Sequence, residues 1–449
     1  MQNFTFHTPT KVFFGKGTEK QVGEIIKSYG FSKVLFHYGS GSIKKTGLYD
    51  TVVSALRESG IAFVELGGVE ANPKLSMARK AAELARAEKV DMILAVGGGS
   101  VLDSAKAAAA GALNDCDPWE FNSKKRVPQK ALPVGTILTL AASGSETSDS
   151  CVITNEDGWL KRGFNAPCNR PLFSIMNPEL TYTVGKYQTG CGIVDIMMHT
   201  LERYFSLNED NPLTDALSEG LVRTVIEAGR RAIENPEDYE ARAALMWAGS
   251  LSHNGLTGCG KEYMMRCHQL EHELSGAYDR IAHGAGLAVI FPAWAKYIFP
   301  YNITRFAQYA VNVWGAPMNF EHPERTAQAG IGATEQYFRS MGMPPAAALS
   351  MSGCAGLGGR HDRFLSSARR SGARHSRRAA APPCKGQLSF LYYNTSSLRL
   401  PGGRPAKRSK SCTKIRLNVC MLCHNQRLIP PSRSWPGCGV CPHPGPWRS

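Results

Sequence analysis

The sequence predicts an α/β domain built on a parallel sheet, then an all-α domain, then a basic segment without regular pattern. Three observations predict this order. Short apolar runs alternate with amphipathic stretches through residues 1–185. Long stretches of helical period, with no strand pattern between them, fill residues 186–345. Past about Pro345 neither period continues.

Each element has its own justification. The stretch FTFHTPTKVFFG reads as an edge hairpin suited to pairing across a dimer, and the opening MQNFTFHTPTKVFFGKG lacks the basic-then-apolar pattern of a secretion leader. KVLFHYG, IAFVELG and VDMILAVGGG are continuous apolar runs that end in glycine, the pattern of strands buried on both faces. The segments LYDTVVSALRES, SMARKAAELARAEK and SVLDSAKAAAAGAL follow them in turn, each with helical spacing of its apolar residues. Strand and helix in alternation mean βαβ units and a parallel sheet. After about Val184 come VDIMMHTLERYF, PLTDALSEGLVRTVIEAGRRAIE, YEARAALMWAGSLSHNG and RTAQAGIGATEQYFRSMG, all compatible with helix. The expected domains are 1–185 and 186–345, with 346–449 apart from both.

Composition agrees with a globular protein: 43% of the 449 residues are hydrophobic and 20% are charged. No apolar run reaches the ~18 residues of a membrane helix, and a cytoplasmic location is expected. The net charge of +15 belongs to the tail. Residues 351–449 hold 18 of the 52 Lys and Arg but one acid, Asp362, so the first 350 residues carry 34 basic and 36 acidic side chains. Six cysteines in the first 350 residues have no regular spacing and read as reduced thiols.

The tail is rich in Arg, Ser, Gly and Pro and is expected to be disordered or of non-native origin, such as a shifted reading frame. An indel near codons 345–355 that restores a helical reading would test this. Cys420 and Cys423, with Cys438 and Cys441, give two CxxC pairs amid Arg and Lys, the spacing of a zinc module that binds nucleic acid. No hairpin pattern surrounds them and Pro and Trp crowd the second pair, so nucleic acid is not an expected partner.

Two turns suggest a bound anion. In VDMILAVGGGSVLDSAK a strand runs through Gly97, Gly98, Gly99 and Ser100 straight into a helix. Glycines admit a close ligand, and the free N–H groups of the helix start attract a phosphate. Asp103 and Lys106 lie on the first turns of that helix. The spacing is not GxGxxG. The second turn, Tyr38-Gly39-Ser40-Gly41-Ser42, carries no acid to bind ribose hydroxyls, and Lys44 or Lys45 could neutralise a 2′-phosphate. That tilts the expectation toward NADP over NAD.

A third constellation suggests a metal. Asp195 and His199 are four apart and share a helical face. His268 and His272 are also four apart, and His283 follows just before Gly284. Two such pairs and a further histidine on apolar helices would bury polar side chains that need a partner, and a divalent ion supplies one.

These segments together carry a resemblance. FTFHTPTKVFFGKG, YGSGSIKKTGLYD, GGGSVLDSAK, TLAASGSETS, DIMMHTLERY and HQLEHELSGAYDRIAHGAGLAVIFPAW resemble the iron-containing (group III) alcohol dehydrogenase family, in its butanol-dehydrogenase-like branch, over residues 1 to about 345. The resemblance implies an α/β dinucleotide-binding domain followed by an all-α, metal-binding domain, the dehydroquinate synthase-like or iron alcohol dehydrogenase architecture, with the active site in the cleft. It implies Asp195, His199, His268 and His283 as metal ligands, with Fe²⁺ or Zn²⁺ as the ion. It places His272 near the nicotinamide, where it is the candidate proton relay. Gly39, Ser40 and Ser42, then Gly97, Gly98, Gly99, Ser100 and Asp103, then Thr139, Ser143 and Lys161 match cofactor-binding positions for NADP(H) or NAD(H). The activity implied is oxidation of small primary alcohols and reduction of their aldehydes, in a homodimer.

Three departures stand out. The interval from His272 to His283 is one residue longer than the family pattern, Ile196 replaces the usual Ala, and the helices expected after Gly342-Met343-Pro344 are replaced by unrelated sequence. The alternatives are a glycerol-dehydrogenase-like polyol enzyme and an inactive, truncated remnant. A dehydroquinate-synthase-like enzyme is disfavoured by the three-histidine set.

Overall fold

The structure is a computed structural model; it describes residues 1–206 and 211–345. The expectations for 346–449, including both CxxC pairs, lie outside the described residues.

Strand β1 is Lys11–Phe14, followed by α1 (Val22–Ser28), β2 (Lys33–Gly39), the short α2 (Ser42–Lys45), α3 (Leu48–Glu58), β3 (Ala62–Val69), α4 (Leu75–Ala87), β4 (Met92–Gly97) and α5 (Gly99–Leu113). The single turn α6 (Trp119–Asn122) precedes β5 (Val134–Leu138), a two-stranded hairpin of β6 (Ser150–Asn155) and β7 (Leu160–Asn165), and β8 (Phe173–Met176). The remaining elements are helices: α7 (Lys186–Tyr204), α8 (Pro212–Glu234), α9 (Tyr239–His253), α10 (Arg266–Ala277), α11 (His283–Ile298), α12 (Ile303–Trp314) and α13 (Pro323–Ser340).

Six strands form one parallel sheet in the order β1-β8-β5-β4-β2-β3. The alternation of side chains along β2 explains the layers. Val34, Phe36 and Tyr38 pack against one apolar cluster with α1 and α3 residues such as Ile26, Val52 and Leu56. Leu35 faces the other, with α4 and α5 residues such as Ala81, Leu102 and Ala105. Strand β3 lies on one side of β2 and β4 on the other, so the chain reverses direction across the sheet at this point. In parallel sheets the crevice at the carboxyl ends of such strands is where ligands bind.

The opening differs from the sequence expectation of a hairpin. Residues 1–10 contain no strand, and β1 pairs in parallel with β8, Lys11 opposite Phe173 and Phe14 opposite Met176. The strand KVFF serves an intramolecular edge: Phe13 packs edge-on against Phe173.

The helices surround α7, which is buried from Thr189 to Tyr204. Val194, Met197, Met198 and Leu201 join Phe291, Phe306, Tyr309 and Phe338 in one apolar cluster. Such a helix has no solvent face, so any charged group on it needs a partner inside the protein.

Candidate metal and cofactor centre

Helix α7 brings Asp195 and His199 to one face, and both are buried. His268 sits in the first turn of α10 and is buried as well. His283 is the first residue of α11, its side chain 24% exposed. Between His272 and His283 the chain leaves α10 and turns through 278–282, where Ile281 donates its N–H to the Tyr278 carbonyl at 2.9 Å. Three helices therefore converge.

Around Oδ1 of Asp195 lie Nδ1 of His199 at 3.4 Å, Nε2 of His268 at 3.5 Å and Nε2 of His283 at 3.6 Å. Such separations are long for hydrogen bonds. Asp195 Oδ1, His199 Nδ1 and His268 Nε2 are buried with no hydrogen-bond partner. A cluster of buried, unsatisfied lone-pair donors is costly unless something electropositive sits among them. One carboxylate and three imidazoles form a suitable set for a divalent ion such as Fe²⁺ or Zn²⁺.

Two carboxylates hold these rings from behind, and the sequence reading missed both. Glu202 of α7 accepts a hydrogen bond from His268 Nδ1, and Glu271 of α10 accepts one from His283 Nδ1. The signal was present in the spacing. Glu202 stands three residues after His199, and Glu271 three after His268, each on that histidine's helical face while holding a ring of another helix. Burial lowers the pKa of His268, but Glu202 and Asp195 more than reverse this and hold it at about 9. Burial would raise the Glu271 carboxyl, but His283 and Lys161 draw it well below the usual range. His199 is held well below the ordinary histidine value by burial and then by its neighbours His253 and His268.

His272 is half-buried beside the cluster, its ring 5.5 Å from that of His283. Burial, then Lys161 and His283, hold its pKa well below the ordinary value. It is a neutral base near the cluster. His253, another residue the sequence reading passed over, packs edge-on against His199 with ring centroids 4.0 Å apart.

The glycine turn joins β4 to α5. A Cβ on Gly97 would lie 2.5 Å from Val101, and one on Gly99 would lie 2.3 Å from Ser143 Oγ. Gly98, Gly99, Ser100, Thr139 and Ser143 are half-buried. Thr139 donates its N–H to the Gly97 carbonyl at 3.1 Å, which brings the two loops together. The loop after β5 also touches the metal-side helices. A Cβ on Gly192 of α7 would lie 2.2 Å from the Ala141 carbonyl oxygen, and one on Gly144 would lie 2.8 Å from His253 Cβ. At the end of β2, Gly39 is half-buried and Ser40 and Ser42 are exposed.

Two charged residues of α5 are engaged inside the protein. Asp103 accepts from Ser145 Oγ at 2.6 Å and from the Val152 N–H at 3.0 Å. Lys106 is fully buried and donates to the carbonyls of Ser145, Ser148 and Ser150 at 2.6, 3.0 and 2.9 Å. Both fasten α5 to the segment that leads into β6. Lys161 on β7 is buried too, with its ammonium on Asn72 Oδ1 at 2.9 Å, Ser275 Oγ at 2.9 Å and Glu271 Oε2 at 3.4 Å.

Comparison with known proteins places most of residues 9–350 in one family. A family model described as iron-containing alcohol dehydrogenase matches residues 9–178, and one described as the Fe-containing alcohol dehydrogenase family, C-terminal, matches residues 189–350. The chain is 46% identical over 345 residues to NADH-dependent butanol dehydrogenase A of Clostridium acetobutylicum, covering 77% of this chain and 88% of that protein. It is 37% identical over 347 residues to the NADPH-dependent aldehyde reductase YqhD of Escherichia coli, with the same shares covered. Among solved structures, NADH-dependent butanol dehydrogenase A of Thermotoga maritima superposes with a TM-score of 0.76 at 44% identity, over 78% of this chain and 87% of that one.

Proposed function

The chain belongs to the iron-containing alcohol dehydrogenase family, and from that premise we propose that it is a metal-dependent, NAD(P)H-linked alcohol dehydrogenase and aldehyde reductase for small primary alcohols and aldehydes such as butanol and butanal. One observation carries the reading: three imidazole nitrogens lie 3.4–3.6 Å from Oδ1 of Asp195, and most of these buried atoms have no hydrogen-bond partner.

Asp195, His199, His268 and His283 are the residues that would hold the ion. When bound, the ion supplies Lewis acidity to the reacting oxygen, and the nicotinamide supplies or accepts the hydride, so the protein needs no nucleophile. The chain's own contribution is position and proton movement. Gly97, Gly98, Gly99 and Ser100 let the diphosphate approach the start of α5, where free N–H groups and the helix dipole favour an anion. Thr139 and Ser143 flank that turn. Neutral His272, beside His283, takes the alcohol proton during oxidation and returns it during reduction. Replacing it with Ala should remove one limb of the pH–rate profile; an unchanged profile would refute that role.

Gly39, Ser40 and Ser42 present no carboxylate to the ribose, which supports tolerance of a 2′-phosphate. The relatives named above include an NADH-dependent and an NADPH-dependent enzyme. The Michaelis constants for the two cofactors decide between them, and a clear NADH preference would count against the tilt toward NADP. The proposal includes two domains that meet near residue 185, a cytoplasmic location and a homodimer. Exposed Phe4, Phe6, Phe14 and Trp247 are compatible with a second copy. No helix among the described residues is long and apolar enough to cross a membrane.

The test is butanal-dependent oxidation of NADPH and NADH by the purified protein, before and after chelation and with Fe²⁺ or Zn²⁺ restored. Oxidation that disappears with the metal and returns with it is expected. Oxidation indifferent to chelation, or none with any metal, would sink the proposal.

A further inference from the structure

We propose that Glu202 and Glu271 are positioning residues that fix the ring orientation and tautomer of His268 and His283, and that Lys161 supports Glu271 in this role. The inference rests on the metal-site reading above.

The two histidines are held in the same way from different helices. A carboxylate oxygen can only accept a hydrogen bond, so Glu202 calls for a proton on Nδ1 of His268 and Glu271 for one on Nδ1 of His283. In its neutral form each ring then has Nε2 to offer its lone pair, and each Nε2 faces Asp195. A metal needs that unprotonated nitrogen.

Glu202 does more than orient a ring. It also accepts the backbone N–H of Cys267 at 2.5 Å and of His268 at 3.2 Å, two free donors in the first turn of α10. One carboxylate on α7 therefore sets both the start of α10 and the direction of its first ligand.

Glu271 is fully buried and touches Lys161, which arrives from the hairpin. The ammonium has three protons, and Asn72, Ser275 and Glu271 provide three acceptors. Asn72 in turn donates to the Asp279 carbonyl at 2.9 Å, in the turn that leads to His283. A polar chain thus runs from the α/β half through Lys161 and Glu271 to a ligand of the helical half.

The test uses Co²⁺ as probe, because its visible bands report the ligand set. Metal-stripped full-length parent and the variants Glu202→Gln, Glu271→Gln, Lys161→Met and Asp195→Ala are titrated with Co²⁺, and the metal-free forms are melted. Glutamine keeps an acceptor of nearly the same shape but removes the charge. Each glutamine variant should bind Co²⁺ about 10–100-fold more weakly with altered bands, while its metal-free melting stays close to the parent. Lys161→Met should weaken binding in the same direction. Unchanged affinity and bands in whichever glutamine variant folds overturn the proposal; the two sit on different helices, so misfolding of one leaves the other as the test. Unchanged binding by Lys161→Met alone removes Lys161 from it. If Asp195→Ala binds Co²⁺ like the parent, or the parent binds none, the metal-site reading itself has failed and this inference falls with it.

Discussion

His37 shows how much a single side chain reveals once its surroundings are known. It is fully buried in β2, with Nδ1 on the Leu66 carbonyl and Nε2 on Ser104 Oγ, both at 2.9 Å. Burial lowers its pKa to about 4, against a partial opposing effect from the Leu66 carbonyl. The unfolded chain therefore takes up this proton first as pH falls. The stability that depends on a neutral His37 is complete above pH 6.5 and is lost as pH falls from 6.5 to about 4, roughly 3 kcal/mol in all. In urea unfolding of the metal-free protein, His37→Gln should reduce the pH dependence across that window by up to about 1.4 kcal/mol per pH unit. Equal slopes for variant and parent would show that His37 does not titrate this way. The sequence could not have shown this, since a histidine in an apolar strand looks the same whether its partners are present or not. The metal-site residues differed. Helical spacing picked out Asp195 with His199 and His268 with His272, the family resemblance added His283 to the proposed ligand set, and in the structure Asp195, His199, His268 and His283 lie together. Glu202 and Glu271 did not stand out, because a glutamate three residues from a histidine is ordinary on any solvated helix. Only burial makes it significant.

At the scale of elements, the glycine turn shows where sequence pattern becomes geometry. An apolar strand running into Gly97-Gly98-Gly99-Ser100 and a helix was legible as a β4-to-α5 unit. The need for Gly99 was not, because the obstacle comes from Ser143 in a loop more than forty residues away. Gly99→Ala places a methyl group 2.3 Å from Ser143 Oγ and 3.1 Å from Ser143 Cβ, so the Ser143 hydroxyl must turn away and its Cβ give by a few tenths of an ångström. That overpacking should cost roughly 1–3 kcal/mol. The loop carries Thr139 and Ser143, so the Michaelis constant for the nicotinamide cofactor should rise as well, while Co²⁺ affinity stays near that of the parent. A variant with unchanged cofactor affinity would place the cofactor elsewhere. Lys106 makes the complementary point. A lysine beside a glycine turn invites a phosphate role, yet its ammonium is spent on three backbone carbonyls. The hairpin β6–β7 and the parallel pairing of β1 also escaped the sequence pattern. Their strands are short, and what defines them is a partner distant in the chain: β8 for β1, and α10 for the hairpin, where a Cβ on Gly276 would meet the Trp159 carbonyl at 2.7 Å.

For the whole molecule, the ion would act as a cross-link. Of the four proposed ligands α7 carries two and α10 and α11 one each, and α7 runs through the middle of the helical core. Without an ion, the buried atoms Asp195 Oδ1, His199 Nδ1 and His268 Nε2 oppose folding. An ion that binds only the folded chain adds stability that grows with its concentration, about 2.7 kcal/mol at 100 times its dissociation constant. At roughly 2–4 °C per kcal/mol, a range typical of domains somewhat smaller than this one, that corresponds to a rise of several degrees in the melting temperature. The rise should appear with Zn²⁺ or Fe²⁺ and vanish with a chelator. Asp195→Ala should abolish it, because Asp195 Oδ1 is the atom around which the three imidazoles gather. A full shift in that variant would mean that the ion binds at some other place, such as the second grouping of Glu271, His272 and His283. Loss of the shift in Asp195→Ala, with the metal-free melting unchanged, would tie the stability of the helical half to the same atoms that are proposed to carry the chemistry.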